Sequence, residues 1–151
     1  VGDFRGDSKA LNVVIKAKPH ILAHNMETVK RMHPAVRPQA KYDRSIKVLA
    51  EIQQSGLVSK TGIMVGIGET DDEIIELLSD IRKKAQTEII TIGQYLQPTR
   101  NHLPVDRWVH PDKFKMYKEI GLELGFRVVE SGPLVRSSFH AEEQVRQLEN
   151  L

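Results

Sequence analysis

The sequence predicts an α/β fold in which parallel strands alternate with amphipathic helices. Short apolar runs of strand length recur at 21–29, 63–67, 88–96 and 126–130, and segments with apolar residues at helical spacing lie between them. Such alternation is typical of parallel βα units, either in an open sheet or in part of a barrel. In both architectures ligands bind at the carboxyl ends of the strands, so we expect a functional site there.

The helices have recognisable start and stop signals. Thr70 followed by Glu73 is a capping-box pattern. Pro111 suits the first position of a helix, and Gly125 suits a helix end. The expected elements in chain order are a short helix that begins at Asp7 or Ser8 and ends at Pro19, a strand at 21–29, a loop at 31–39, a helix from Tyr42 to about Gln54, a strand at 63–67, a helix from Asp71 to about Ala85, a strand at 88–96, a helix from Pro111 to about Leu124, a strand at 126–130 and a helical tail from Ala141.

Composition indicates one globular domain and no nucleic-acid or membrane partner. The chain has 151 residues, 40% hydrophobic and 28% charged, which suffices for one core. Its 22 basic residues exceed the 20 acidic ones by two and are scattered, so no basic patch is evident. No apolar run approaches the roughly 20 residues that span a bilayer, and no signal-peptide pattern begins the chain. We therefore expect a soluble, cytoplasmic protein.

Cysteine is absent from the chain. This excludes disulfides, a thiol nucleophile and thiolate-bound metal within the chain itself. The six histidines do not show metal-ligand spacing and are expected to be structural or exposed. The opening residues contain neither an initiator methionine nor an obvious leading element, so we expect a piece of a longer protein.

Polar and small residues gather where the expected strands end. Because the carboxyl ends of parallel strands meet at one edge, we expect these residues to form a pocket. They are Asn25, Glu27, Gly66, Gly68, Glu69, Gln94 and Tyr95. Glu27 and Glu69 fit either a carboxylate pair for acid–base chemistry or a pair of hydroxyl-binding groups, and the sequence leaves both open.

The glycine-rich turn at 66–69 precedes a helix and therefore suggests a phosphate loop. The acidic residues Glu69, Asp71 and Asp72 would repel phosphate there, and the lysine of a phosphate loop is missing. Two alternatives remain. Either the glycines serve only tight packing of strand against helix, or they make room for a ligand with hydroxyls or a neutral ring.

Two basic residues and one polar segment are weaker candidates for a functional role. Arg31 and Arg37 are expected to be solvated unless one of them faces an anion. The segment Arg136-Ser-Ser-Phe-His lacks the context of a catalytic triad and by itself indicates a loop.

Seven segments taken together resemble the lipoyl synthase family of radical S-adenosylmethionine (SAM) enzymes. The resemblance covers nearly the whole chain and corresponds to the later half of the family's sequence. The segments are Asp3-Phe-Arg-Gly-Asp, His24-Asn-Met-Glu-Thr-Val, Val36-Arg-Pro-Gln-Ala-Lys-Tyr-Asp-Arg-Ser, Lys60-Thr-Gly-Ile-Met-Val-Gly-Ile-Gly-Glu, Gly93-Gln-Tyr-Leu-Gln-Pro, His102-Leu-Pro-Val and Ser131-Gly-Pro-Leu-Val-Arg-Ser-Ser-Phe-His-Ala.

The resemblance implies a partial (β/α)6 barrel and the insertion of two sulfur atoms into an octanoyl chain on a lysine of a carrier domain. The expected cofactors are SAM and two 4Fe-4S clusters per full-length subunit, whose cysteine ligands would lie outside this chain. The expected partners are an octanoylated lipoyl carrier domain or H protein, and an electron donor such as ferredoxin or flavodoxin. Residues 1–100 would be the later half of the barrel, and residues 101–151 a C-terminal extension. A eukaryotic version would be mitochondrial or plastid.

The resemblance also implies roles for individual residues. Those expected near the cofactor are Asn25 and Glu27 at the ribose, Gly62, Gly66, Gly68, Glu69, Gln94, Tyr95 and Leu96 at the adenine, and Lys41 and Arg44 as further charged groups. Met64 replaces the isoleucine of the family's strand motif, and Gly66 and Gly68 would make room for the adenine. Ser138 would ligate an iron of the sulfur-donating cluster, with Arg136, Ser137 and His140 beside it.

Two other functions compete with this hypothesis. One is a cofactor-independent βα-barrel aldolase or hydrolase that uses Glu27 and Glu69, and the other is a noncatalytic module that binds a carrier domain. Under the leading hypothesis the isolated chain is inactive because it lacks the cysteines. It is also expected to be marginally stable, because half a barrel leaves strand edges unpaired.

Overall fold

A computed structural model describes residues 1–37, 41–136 and 146 of the chain. The strands are β1 (Ile21–Ala23), β2 (Val58–Val65), β3 (Ile89–Gln94) and β4 (Val128–Ser131), and the α-helices are α1 (Ser8–Lys16), α2 (His33–Val36), α3 (Tyr42–Gln54), α4 (Asp71–Asp80) and α5 (Pro111–Leu124). Short 3-10 turns lie at Phe4–Gly6 and Lys30–Met32. No helix within the described ranges is both long and apolar enough to cross a bilayer.

The four strands form one parallel sheet in the order β1-β2-β3-β4. A doubly wound sheet reverses its strand order at a switch point, whereas strands that follow each other in chain order form the arc of a barrel. The sheet is therefore the partial barrel, and the open-sheet alternative is wrong. β4, at Val128–Ser131, belongs to the same sheet, so the sheet continues past the boundary that we expected near residue 100.

The two faces of the sheet have different environments because side chains alternate along each strand. The outer face of β2 and β3 packs on the helices. Its buried residues Ile63, Val65, Ile90 and Ile92 belong to the same core as Leu49 of α3, Leu77 and Leu78 of α4, and Phe114 and Tyr117 of α5. Burial of each such side chain stabilises the fold by roughly 1.5–3 kcal/mol. The inner face carries Lys60, Gly62 and Met64 of β2 and Ile89, Thr91 and Gly93 of β3.

Helix α4 has the predicted start. The Thr70 side chain accepts a hydrogen bond from the Glu73 amide, and the Glu73 carboxylate accepts one from the Thr70 amide at 3.0 Å. Beyond Asp80 the helix continues as a π-helical turn, Ile81–Ala85, which ends at the left-handed Gln86. The predicted limit near Ala85 is confirmed. The bounds predicted for α3 and α5 are also confirmed.

Three predicted elements are wrong in part. The strand expected at 63–67 is β2, which runs from Val58 to Val65. The strand expected at 21–29 ends at Ala23 and meets β2 again only where Glu27 pairs with Ile63. The ladder is interrupted because the Thr61 hydroxyl, not a backbone carbonyl, accepts the Met26 amide. The expected loop at 31–39 contains α2, whose Pro34 lies in the first turn, where its missing N–H has no cost. Apart from Arg146, the expected helical tail lies outside the described residues.

Candidate functional site

The turn between β2 and α4 is filled by its own acidic side chain. Glu69 is 4% exposed, and its carboxylate accepts hydrogen bonds from the amides of Gly66, Ile67 and Gly68. These are the amides that a phosphate loop would offer to its ligand. Since a carboxylate already occupies them, phosphate is excluded here, as the sequence predicted. Both oxygens of Glu69 are used, so a Glu27–Glu69 acid–base pair is not supported.

The glycines of this turn make room for the chain itself. A Cβ on Gly66, whose φ is +94°, would overlap the Arg107 carbonyl and the Gln94 amide. A Cβ on Gly68 would meet the Met32 side chain at 3.2 Å. The two glycines thus serve the close packing that the first alternative expected, and their place beside an adenine stays a prediction.

Gln94 and Tyr95, at the end of β3, hold the segment that follows them. The Gln94 side chain accepts a hydrogen bond from the Val109 amide at 2.9 Å and donates one to the Arg107 carbonyl at 3.1 Å. The Tyr95 hydroxyl donates to the Leu103 carbonyl at 2.7 Å. Leu96, predicted beside them, is 46% exposed and does not line either cavity described below.

A charge cluster fixes the start of α4 against α5. Asp71 accepts hydrogen bonds from Lys113 at 2.7 Å, Tyr117 at 2.7 Å and Arg107 at 3.3 Å. Lys113 and Tyr117, more than Arg107, lower the pKa of Asp71 to about 2. Burial and the neighbouring carboxylate raise the pKa of Tyr117. Asp71, one of three acidic residues in the first turn of α4, is thus paired within the fold.

A cavity of about 410 Å³ lies at the carboxyl ends of β2 and β3. This volume is within the range of roughly 300–1,000 Å³ that small-molecule sites occupy. Its lining comprises Glu27, Ala35, Val36, Arg37, Met64, Ile67, Tyr95, Pro98, Asn101, His102, Leu103 and Pro104. Most of this wall is apolar, with one carboxyl and one guanidinium group, so it suits a neutral ring attached to polar groups.

Glu27 lines this cavity from an unusual backbone position. Its φ is +68°, which is strained for a residue other than glycine. Two hydrogen bonds to β2 hold the conformation, from the Glu27 amide to the Gly62 carbonyl at 3.0 Å and from the Met64 amide to the Glu27 carbonyl at 2.8 Å. Burial raises the pKa of Glu27, while the charge of Arg37 and a hydrogen bond from Asn25 oppose that rise.

A second cavity of about 180 Å³ lies on the inner face of the sheet and shares Glu27 and Met64 with the first. Asn25 and Thr91 fill the space that a Gly62 side chain would take, and the Val135 carbonyl lies against Gly93. Arg136 lines this cavity and donates to the Val135 carbonyl at 2.8 Å. Gly93 thus lets the segment after β4 cross the lumen. The predicted residues Ser137, Ser138 and His140 lie outside the described part of the chain.

Four basic residues singled out from the sequence differ in their surroundings. Lys41 is exposed, and Arg44 lies 3.9 Å from Asp3; neither lines the cavities. Arg31 is not simply solvated, because it pairs with Glu73 at 2.9 Å. Arg37, also expected to be solvated, lines the larger cavity and donates to the Asn25 carbonyl at 2.7 Å.

The buried histidines are structural, as predicted. His24 contacts the Val1 carbonyl and the Ser45 hydroxyl, each at 2.8 Å, and burial lowers its pKa. His33 contacts the Thr28 carbonyl at 3.0 Å, and burial lowers its pKa too. The described residues contain no cluster of three or more His, Asp or Glu that could hold a metal ion.

Comparison with known proteins identifies the relatives of this chain. The sequence model of the radical SAM superfamily matches residues 2–81. Lipoyl synthase from Rubrobacter xylanophilus is 54% identical over 94% of this chain, and that from Phocaeicola vulgatus is 51% identical over 97%. The mitochondrial lipoyl synthase of Nematostella vectensis is 49% identical over 96%. These alignments cover 44%, 51% and 50% of the relatives, so the chain spans about half their length.

Replacing Glu69 by glutamine in the full-length protein should destabilise the turn between β2 and α4. The variant turns one acceptor into a donor that faces backbone amides, which we expect to cost roughly 1–3 kcal/mol of unfolding free energy. Denaturant unfolding, together with faster hydrogen exchange of the amides at 66–68, is the measurement. Glu76→Gln, the same change at an exposed position of α4, is the control. Equal unfolding curves for the two variants would contradict the capping role of Glu69.

Asp71 should contribute stability that depends on pH. Its pKa in the folded protein, about 2, lies below the ordinary 3.8, so the contribution is fully present above about pH 4. It is lost as the pH falls towards 2. Asp71→Asn in the full-length protein should therefore lower the melting temperature at pH 7, and this deficit should shrink between pH 4 and pH 2. Asp72→Asn, at an exposed neighbour, is the control. A deficit that does not vary with pH would contradict the ion-pair account.

Proposed function

The chain belongs to the radical SAM superfamily, and we propose that it is the later half of a lipoyl synthase. Support comes from about 50% identity to enzymes of that name along nearly the whole chain. The observation that carries the proposal is a half-buried, strained Glu27 beside an apolar cavity at the carboxyl ends of the strands. A nucleoside has the matching combination of ribose hydroxyls and a neutral ring.

In the proposed reaction the parent enzyme replaces two C–H bonds of an octanoyl chain with two C–S bonds, producing the lipoyl group on a carrier-domain lysine. SAM, cleaved with an electron from one cluster, would supply the radical that removes hydrogen from the octanoyl chain, and the second cluster would supply the two sulfur atoms. The residues of this chain would bind and orient that cofactor and keep water away from it. The carrier would be a lipoyl domain or H protein, and a ferredoxin or flavodoxin would deliver electrons.

The larger cavity fits the nucleoside part of SAM. The Glu27 carboxylate, with Asn25 beside it, can accept hydrogen bonds from ribose hydroxyls. Arg37 donates to the Asn25 carbonyl and so fixes the backbone next to Glu27. The apolar side chains of Met64 and Ile67 offer a surface for the adenine ring.

The residues of this chain do not provide the ligands that iron–sulfur clusters need. Such clusters are held by cysteine thiolates, and the chain contains none. We propose that two cysteine triplets, one of them spaced Cys-x3-Cys-x2-Cys, lie in the part of the parent sequence that precedes this chain. Ser138 would add one hydroxyl ligand, and Arg136, close to it in sequence, lines the smaller cavity.

Neither rival function gains support from the structure or the comparisons. An aldolase or hydrolase that uses Glu27 with Glu69 needs a free carboxylate, and Glu69 caps its own turn. A noncatalytic carrier-binding module is not favoured by relatives that are named as synthases.

Binding of S-adenosylhomocysteine, an unreactive analogue, tests the cofactor site in the full-length protein with its clusters. Glu27→Gln should weaken the affinity about 10- to 100-fold, because a charged hydrogen bond to the ribose is lost. Isothermal titration under anaerobic conditions is the measurement. Glu88→Gln, at the opposite end of β3 where Glu88 pairs with Arg127, should bind like the wild type. Wild-type affinity in the Glu27 variant would refute the assignment.

Ser138→Ala in the full-length protein should spare SAM binding and impair the second cluster. We expect less iron per subunit, an altered absorbance near ~400 nm and no lipoyl product on an octanoylated carrier domain by mass spectrometry. Ser137→Ala is the control at the adjacent serine. A Ser138→Ala protein with normal iron content and normal sulfur insertion would show that this serine is not the ligand.

A further inference from the structure

One wall of the larger cavity is a segment without regular secondary structure, the β3–α5 connection (residues 96–110). It contributes Pro98, Asn101, His102, Leu103 and Pro104 to the lining. The rest of the lining comes from β2, α2, the end of β3 and the turns that follow β1, β2 and α2. The shape of the cavity therefore depends on where this connection lies.

Most of the connection lies outside the core of the molecule, to which it contributes Val109 near its end. Leu103 is half-buried and Pro104 exposed, and Trp108 is 71% exposed. Near its end Arg107 binds Asp71 of α4 at 3.3 Å, but the side-chain hydrogen bonds of its first half are local, from Gln97 to the His102 carbonyl at 2.9 Å and between Thr99 and His102 at 2.8 Å. Such contacts shape a turn, but they do not fix the turn relative to the sheet.

Three groups at the carboxyl ends of β2 and β3 attach the connection to the sheet. The Gly66 carbonyl accepts the amides of Asp106 and Arg107 at 2.9 and 3.3 Å. Gln94 binds the backbone on both sides of Trp108, through Val109 and Arg107. Among the residues that the structure describes, the first half of the connection has a single attachment of this kind, the hydroxyl of Tyr95 on the Leu103 carbonyl at 2.7 Å.

Tyr95 and Gln94 are both buried, at 4% exposure each, so water competes little for these bonds. The Tyr95 side chain also lines the cavity, while its hydroxyl reaches the residue that forms the neighbouring wall. Gln94 does not line the cavity, and its side-chain amide binds the backbone of the connection instead. Both side chains therefore influence the cavity through the segment they hold.

We propose that Tyr95 and Gln94 are positioning residues, which set the affinity for the nucleoside by holding Leu103 and Pro104 as a wall against its ring. This inference rests on the proposed function, because it takes the occupant to be the adenosyl group of SAM. It also gives Gln94 a different role from the direct adenine contact that the family resemblance implied.

Tyr95→Phe in the full-length protein with its clusters is the first test, because it keeps the ring and removes only the hydroxyl. We expect the Kd for S-adenosylhomocysteine to rise about 2- to 10-fold, the effect of one lost hydrogen bond. Hydrogen exchange of the amides at 101–104 should become faster, and added analogue should slow it less than in the wild type. Gln94→Leu should show the same effects more strongly, with exchange at 106–109 faster as well.

The matched control is Tyr42→Phe. Tyr42 is buried too, and its hydroxyl donates one hydrogen bond to Asp80 at 2.7 Å, in the interface of α3 with α4. Both Tyr→Phe variants should lower the melting temperature slightly, but only Tyr95→Phe should change the Kd and the exchange at 101–104. A purely structural role for Tyr95 predicts the same behaviour in both variants.

Two results would overturn the inference, and they differ in what else they overturn. If the wild type binds the analogue and both Tyr95→Phe and Gln94→Leu bind it equally well, the positioning role is wrong while the cofactor site stands. If the wild type itself does not bind the analogue, the proposed function is wrong, and the inference about its affinity falls with it.

Discussion

The turn that follows β2 depends on one buried interaction, the carboxylate of Glu69 bound to the amides of Gly66, Ile67 and Gly68. Where a parallel strand leaves its sheet, its next amides lose their ladder partners and need acceptors. An acceptor from the same turn fixes that turn without any ligand. The Gly66 carbonyl then faces outwards and receives the β3–α5 connection, which closes one side of the larger cavity.

Two acidic side chains at the start of α4 form ion pairs within the fold instead of facing a ligand. The first turn of α4 carries three acidic residues, yet Asp71 is paired with Lys113 and Arg107, and Glu73 with Arg31. Glu27 differs from them, because its carboxyl lines the cavities and burial raises its pKa. A carboxyl kept in a strained, partly desolvated position is typical of a residue held for binding.

Local signals predicted the elements well, and contacts between distant residues account for the errors. The capping box at Thr70 and the limits of α3 and α5 depend on neighbours within one turn, which a sequence displays. The strand at 21–29 was predicted too long because the Thr61 side chain, on another strand, takes the Met26 amide. The packing role of the glycines in the turn after β2 could not be decided from the sequence, because nothing near them in sequence shows that Arg107, Gln94 and Met32 lie against them.

The sequence by itself determined the α/β class, the pocket at the carboxyl ends of the strands, the exclusion of phosphate and the resemblance to lipoyl synthases. Each of these follows from periodicity, from charge beside a turn or from several motifs in one order. Only the tertiary structure decided between barrel arc and open sheet, and only it separated residues that line the cavity, such as Glu27, from those that support it, such as Glu69 and Gln94. The physical reason is that a polar side chain at a strand end has the same sequence signature whether it faces a ligand or a distant part of its own backbone.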